Sequence, residues 1–308
     1  MLPYSTKQKA YSALVITSIV WGTTWVAMKF GLKQLPALQL ASIRQFIAGG
    51  LFVGFFMIFK RYKLPTIQEF KKIFFLCVLT FTLANAVSTW SLKYISSGLG
   101  ALIGTLYPLS VAVIEYAFFG NKNINKLTIF GIVLGFCGIA YVFYDSAFHV
   151  AHGSGFLFGI LLAFVAMFAW SFSTILVAKK YLSINPYYGM GWQMVISSVL
   201  VFIASLFTQK NIPLSSISLE SWGVIFYLII MGSIVAVVAF VYSMKYLNPA
   251  VAALYAYVNP FVAMFIGSYL LNEKVTLKIV LGSIITLIGV YLVNLSMKEK
   301  AVLDSETL

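Results

Sequence analysis

Charge is scarce in this chain, and negative charge scarcest. Charged residues fill 9% of 308 positions, with 21 Lys and Arg against 8 Asp and Glu. A soluble domain carries about 25% charged residues, so this composition cannot cover a water-facing globule. Histidine and cysteine occur twice each. That excludes a ligand-rich metal centre and leaves no cluster of ionisable groups for proton chemistry. No Gly-rich phosphate motif is present either. The sequence therefore predicts no enzyme, no cofactor and no bound metal. Cys77 and Cys137 lie in apolar stretches and are expected to pack. Asp145, His149 and His152 have no further Cys, His or Asp beside them and read as a solvated loop.

What the chain has in abundance is apolar length. Hydrophobic residues make up 61% and the mean hydropathy is +0.95. Ten apolar runs of roughly twenty residues, enough to cross a ~30 Å hydrocarbon core, occupy 11–32, 38–59, 73–94, 97–119, 127–144, 155–178, 187–207, 221–243, 249–271 and 277–296. The loops between them are too short to hold a soluble domain. The first run is too long for a signal-peptide h-region and no A-x-A site follows it, so it is expected to be retained. With ten spans both termini share one side. Placing that side in the cytoplasm puts 14 basic residues inside and 6 outside, with Arg44 in span 2. The bias follows the positive-inside rule and assigns the +13 charge to topology and anionic lipid headgroups rather than to nucleic acid. The expected location is a bacterial inner membrane, with both termini cytoplasmic.

One segment occurs twice. Ser91-Leu92-Lys93-Tyr94 runs on to Pro108, and Ser243-Met244-Lys245-Tyr246 to Pro260, at a constant offset of 152 residues. Further pairs accompany it: Trp21-Gly22-Thr23-Thr24 with Trp170-Ser171-Phe172-Ser173, Arg44-Gln45 with Trp192-Gln193, Asn121-Lys122 with Glu273-Lys274, and Gly131 and Gly138 with Gly282 and Gly289. A repeat of half the chain means two copies of one unit. Five spans per copy is an odd number, so the second copy enters the membrane from the opposite side. The fold expected is an all-α integral membrane protein of ten helices in two inverted five-helix repeats, residues 1–147 and 148–308, with the boundary near 145–153.

These residues also carry a family resemblance. The Trp-Gly start of span 1 with Lys29 near its end, Arg44, the Lys-Tyr pair before spans 4 and 9, mid-span Pro108 and Pro260, and Glu273-Lys274 resemble the EamA-type transporters of the drug/metabolite transporter superfamily. The similarity covers about residues 10–297. Asn121 departs from it, standing where the family usually has Glu. The resemblance implies a ten-helix carrier of small metabolites or drugs, often moving them outward, and leaves the substrate open. It also implies that Arg44, usual in the family whatever the substrate, has a structural role.

Read directly, the residues place a site at the bundle centre. Proline removes a backbone donor and clashes with the carbonyl four residues back, here Gly104 for Pro108 and Ala256 for Pro260. Paired breaks in the two halves of a transporter point to a midplane site, although each proline could equally bend its helix for packing. Trp21, Thr24 and Trp25 of span 1, Trp170, Ser173 and Thr174 of span 6, and Asn85, Ser88 and Thr89 of span 3 lie at similar depth. So do Tyr107 of span 4, and Tyr255 and Asn259 of span 9. With Arg44, Gln45 and Gln193 these are the expected substrate-lining residues, each with an alternative role as glue between helices. Arg44 either attracts an anionic group or ties helix ends together. Glu115, the one acid within a span, reads as an interfacial ion pair or a proton relay. Spans 5 and 10 are the least polar and could support a homodimer.

The function expected is secondary transport of a small organic solute by alternating access, with export of amino-acid-like compounds favoured. Aromatics and one Arg without a centred acid suit a neutral or zwitterionic solute better than a cationic drug. An uncoupled channel or facilitator and a multidrug exporter are the alternatives. Lys93-Tyr94 and Lys245-Tyr246 are expected to mark the outer and inner gates.

Overall fold

The structure is a computed structural model that describes residues 4–120, 125–148, 155–247, 251 and 254–306, without the side chains of Tyr4, 143–148 and 297–306. Asn121, Lys122, His149 and His152 lie outside it, as does the side chain of Asp145.

Ten helices form the bundle among the described residues: α1 Tyr4–Gly31, α2 Ala37–Phe59, α3 Ile67–Ser91, α4 Ser97–Phe118, α5 Lys126–Phe148, α6 Phe156–Ala178, α7 Pro186–Thr208, α8 Leu219–Tyr246, α9 Tyr255–Leu271 and α10 Leu277–Glu306. By length and composition eight can cross a membrane, and the described apolar parts of α5 and α9 are shorter. Their starts are set by local chemistry. Thr66 and Glu69 form a reciprocal capping box at α3. Asn185 caps α7 by accepting from the Tyr187 N–H at 3.0 Å, with Pro186 in the first turn. Ser218 caps α8 by accepting from the Ser221 N–H at 3.2 Å. Such caps satisfy the orphan donors of a first turn. The α3 box also starts that helix six residues before the apolar run expected at 73, because cap chemistry rather than hydropathy decides the first turn.

Equivalent helices of the two halves pair across the bundle. α2 packs on α7 and α5 on α10, while α1 lies against α8 and α9, and α6 against α3 and α4. Each half therefore inserts its first helix between the third and fourth of the other. Glycines permit the closest approaches. A Cβ at Gly289 would fall 2.4 Å from the Gly135 nitrogen, and one at Gly138 would fall 2.6 Å from the Thr286 nitrogen. At Gly49 it would fall 2.8 Å from both the Gly191 oxygen and the Val195 nitrogen. Small residues at such seams let helices gain van der Waals contact where the hydrophobic effect offers none.

α3 and α8 are not uniform α-helices. Each contains a π-helical segment, Val78–Ala86 and Leu228–Val235, at overlapping positions of the two repeats. α4 is interrupted at Thr105–Leu106, between Ser97–Gly104 and Tyr107–Phe118, and Pro108 lies in the first turn of the lower piece. The proline cannot donate to the Gly104 carbonyl and would clash with it. The chain tightens there, with the Leu106 N–H turning to the Ile103 oxygen at 3.1 Å. The second expected break differs. Pro260 sits inside α9, whose described part begins five residues earlier at Tyr255, so the Ala256 carbonyl it opposes falls in the first turn.

Gly49 and Gly50 offer a paired test of the α2–α7 seam, because a Cβ at Gly50 meets nothing within 4 Å. Gly49→Ala should lower the apparent Tm of the purified protein, overpacking costing about 1–3 kcal/mol. Gly50→Ala should leave it unchanged or raise it, and a thermal-unfolding scan in detergent reads both.

Candidate functional site

A cavity of about 190 Å3 lies where the two halves meet. That is space for on the order of ten waters or one small metabolite. Its wall draws on α1 to α4 and α6 to α9. Of the expected residues, Trp21, Thr24, Arg44, Gln45, Asn85, Tyr107, Trp170, Tyr255 and Asn259 line it, with Trp25 and Ser88. Thr89, Ser173, Gln193, Pro108 and Pro260 do not. The Thr89 hydroxyl turns to the Asn85 carbonyl at 2.9 Å and Met28 Sδ at 3.3 Å. Ser173 pairs with the Thr80 hydroxyl, fastening α6 to the π segment of α3. Gln193 is buried on α7 away from the cavity. Pro108 is buried beside the break it forces, and Pro260 is buried within α9.

The π segments explain what periodicity could not find. Thr80 and Asn85, five residues apart, both line the cavity, a spacing that puts them off each other's face in an α-helix but near it in a π turn. The wider turns also release carbonyls for side-chain donors. Gln45 Nε2 donates to the Phe81 oxygen at 3.1 Å, and Trp21 Nε1 to the Gly232 oxygen at 3.3 Å. Phe81 and Gly232 occupy nearly matching places in the two repeats.

One wall is aromatic. The Trp21 ring centroid lies 5.0 Å from Phe240, 5.1 Å from Tyr255 and 6.1 Å edge-on from Trp170. Phe240 and several small or sulfur-bearing residues, among them Gly104, Ala166, Met194 and Gly232, joined the lining without a sequence signal. Only their place in the packed bundle reveals them. Asn259, its amide oriented by surrounding acceptors, donates to the Ser18 carbonyl at 2.7 Å and the Tyr255 carbonyl at 3.1 Å, so it ties α9 to α1 at the cavity edge.

Another wall carries Arg44, which is buried on α2. Its Nη2 donates to Asn85 Oδ1, which also accepts from Gln45 Nε2 at 3.1 Å. Arg44 Nε and Gln45 Oε1 are buried without partners. No carboxylate lines the cavity among the described residues. Glu115 is two turns beyond Tyr107 on α4, engaged by neighbours, and does not line it.

Charges that appear elsewhere act at helix ends. Lys29 Nζ reaches the carbonyls of Leu92 and, at 2.8 Å, Ile95, where α3 ends. Glu273 accepts from the Ser97 N–H at 2.8 Å, the Ser97 hydroxyl at 2.6 Å and the Gly98 N–H at 3.5 Å. A cation at a C-terminus and an anion at an N-terminus both oppose the helix dipole favourably. Together they clasp the α3–α4 loop at the end of the bundle opposite the termini. Asn272 aims Glu273 by taking a left-handed conformation, φ 54°, at the end of α9. The repeated Lys-Tyr pairs also have a local role: Lys93 Nζ lies 5.8 Å from the Tyr94 ring and Lys245 Nζ 5.1 Å from the Tyr246 ring. Tyr94 packs on Gly155 and Gly159 of the α6 start.

Comparison with known proteins adds a family. The model of the EamA-like transporter family matches residues 8–144 and 157–295. The chain is 28% identical over 267 residues to the Uncharacterized inner membrane transporter YedA of Escherichia coli K12, covering 86% of this chain and 84% of that one. It is 23% identical over 296 residues to the Uncharacterized transporter YoaV of Bacillus subtilis, covering 96% and 99%. A solved crystal structure shares the fold with a TM-score of 0.64 at 12% identity, covering 94% of this chain.

The Glu273 clasp can be tested by access. In a protein freed of Cys77 and Cys137 and carrying Thr24→Cys in the cavity, Glu273→Gln should speed labelling by a bulky thiol reagent added at the end opposite the termini. The expected gain is about fivefold, equivalent to the ~1 kcal/mol of a charge at a helix N-terminus. An unchanged rate would show that Glu273 does not hold that end shut.

Proposed function

The chain belongs to the EamA-like transporter family, and from that premise we propose that it is a secondary transporter of a small, amino-acid-like, carboxylate-bearing metabolite. It works by alternating access and moves its solute outward. The observation that carries this reading is a cavity between two inverted repeats with an unneutralised Arg44 on one wall and Trp21, Trp170, Phe240 and Tyr255 on another. A guanidinium takes a carboxylate in paired hydrogen bonds, and aromatic faces accept an apolar remainder. A cationic drug would meet Arg44 and no acid among the described lining residues, which disfavours multidrug export.

The bundle is a multi-pass membrane protein, and its orientation follows from the basic loops. Lys7, Lys9, Lys60, Arg61, Lys63, Lys71, Lys72, Lys179 and Lys180 gather at the end that holds the termini. That end faces the cytoplasm by the positive-inside rule, in a bacterial inner membrane like that named for the Escherichia coli relative. The clasped end then faces outward, so solute loads from the cytoplasm. The α3–α4 and α8–α9 hairpins, with Lys93-Tyr94 and Lys245-Tyr246, are the outer and inner gates, and the interrupted α4 and the π segments give them freedom to move.

Counterflow in proteoliposomes tests the mechanism. Purified protein should exchange a labelled amino acid or small carboxylate faster when unlabelled solute is loaded on the other side. Uptake that equilibrates without such stimulation would make the chain a facilitator, and no movement of any amino acid or small carboxylate would refute transport of this solute class.

A further inference from the structure

Among the described residues, the lining of the cavity carries one cation and no anion. Arg44 is 5% exposed, and among the described residues its hydrogen-bond partner is Asn85 and its buried Nε has no acceptor. The surrounding titratable groups do not balance it. Tyr107 and Tyr255 are neutral phenols on α4 and α9, and Lys29 on α1 is itself a cation held by the Leu92 and Ile95 carbonyls. Glu115 lies beyond the cavity on α4, and Glu273 is spent on the α4 N-terminus. A buried charge is costly unless it is paired and hydrogen-bonded, so occupancy by a ligand that supplies the missing charge is favoured.

Ligand charge then becomes a selectivity term. A zwitterion brings a carboxylate for Arg44 but also an ammonium, and no carboxylate among the described lining residues can receive it. The aromatic wall is a poor substitute. Trp21 meets Phe240, Tyr255 and Trp170 at 5.0, 5.1 and 6.1 Å, and a cation over any of these rings gains only a modest attraction without supplying the anion that Arg44 lacks. The bound complex of a zwitterion keeps a net positive charge in a low-dielectric site, whereas a monoanion brings it to zero.

We propose that the transported species is a small organic monocarboxylate of net charge minus one. Its carboxylate docks on Arg44, which Asn85 positions, and its apolar remainder lies against Trp21, Trp170 and Phe240. This rests on the transport reading above and narrows its substrate from amino-acid-like solutes in general to those whose nitrogen is absent or uncharged.

Three probes of one shape separate the possibilities: 3-phenylpropionate, phenylalanine and phenethylamine, which are respectively anionic, zwitterionic and cationic at neutral pH. Binding to the full chain in detergent is read by tryptophan quenching and thermal shift, and transport in proteoliposomes by probe flux. 3-Phenylpropionate should bind about tenfold or more tighter than phenylalanine, a gap of ~1.4 kcal/mol, and phenethylamine should not bind. Asn85→Asp, nearly isosteric, places a carboxylate on the guanidinium and should abolish or reverse that preference while the Tm stays near the parent value. Phenylalanine binding as tightly as 3-phenylpropionate would overturn the charge inference and leave the amino-acid carrier standing. An Asn85→Asp protein with the parent order of affinities would overturn Arg44 as the anion's partner. Failure of both carboxylates to bind would overturn the inference and the proposed solute class together.

Discussion

In hydrocarbon a backbone N–H or C=O has no water to turn to, so each must find its partner inside the protein. Much of this bundle's design follows from that constraint. Where the helices are regular, the main chain satisfies itself, and the outward faces can be wholly apolar. Where they depart from regularity, side chains step in. Gln45 serves the Phe81 carbonyl, Trp21 that of Gly232, and Lys29 those of Leu92 and Ile95. These polar contacts gather around the cavity and at the bundle's end, because irregular backbone is tolerated only there.

The scarcity of charge sharpens the point. With 8 acids in 308 residues, each carboxylate near the membrane is conspicuous, and Glu273 is engaged at the N-terminus of α4, within electrostatic reach of Lys29. Arg44 is the exception, since its hydrogen bond to Asn85 fixes its direction without cancelling its charge. An arginine held in place by a neutral amide is oriented and still hungry for an anion, a different object from an arginine in an ion pair.

Most of the fold was legible because apolar runs, a 152-residue offset and an odd number of spans per repeat each have one simple physical reading. The helix ends shifted where caps rather than hydropathy decide, as at Thr66 before α3. The cavity lining was legible in its large and polar members, Trp21, Arg44, Asn85, Trp170, Tyr255 and Asn259, since such residues are costly in mid-membrane without a partner. It was not legible where helical period was assumed. The π segment of α3 brings Thr80 to the cavity and leaves Thr89 against Met28. Pro108 announced a break and received one, while Pro260 is accommodated near the start of its helix. Phe240 and Gly232 carry no local mark, because a ring or a gap matters only through the helix that arrives opposite.

The left-handed corner that ends α9 has a counterpart in the other repeat. Gly120, φ 69°, ends α4 as Asn272, φ 54°, ends α9. The next residue in the sequence is Asn121 in one repeat and Glu273 in the other. A carboxylate therefore clasps the α3–α4 hairpin, and the sequence of the other repeat offers no acid at the matching position. In the carrier proposed here, that carboxylate on a helix terminus stabilises the form closed at the clasped end. The empty protein then dwells longer in one orientation, and a solute approaching from the disfavoured side meets an apparent affinity reduced by the fraction of molecules ready for it. One acidic residue would in this way make the apparent affinity differ between the two sides of the membrane.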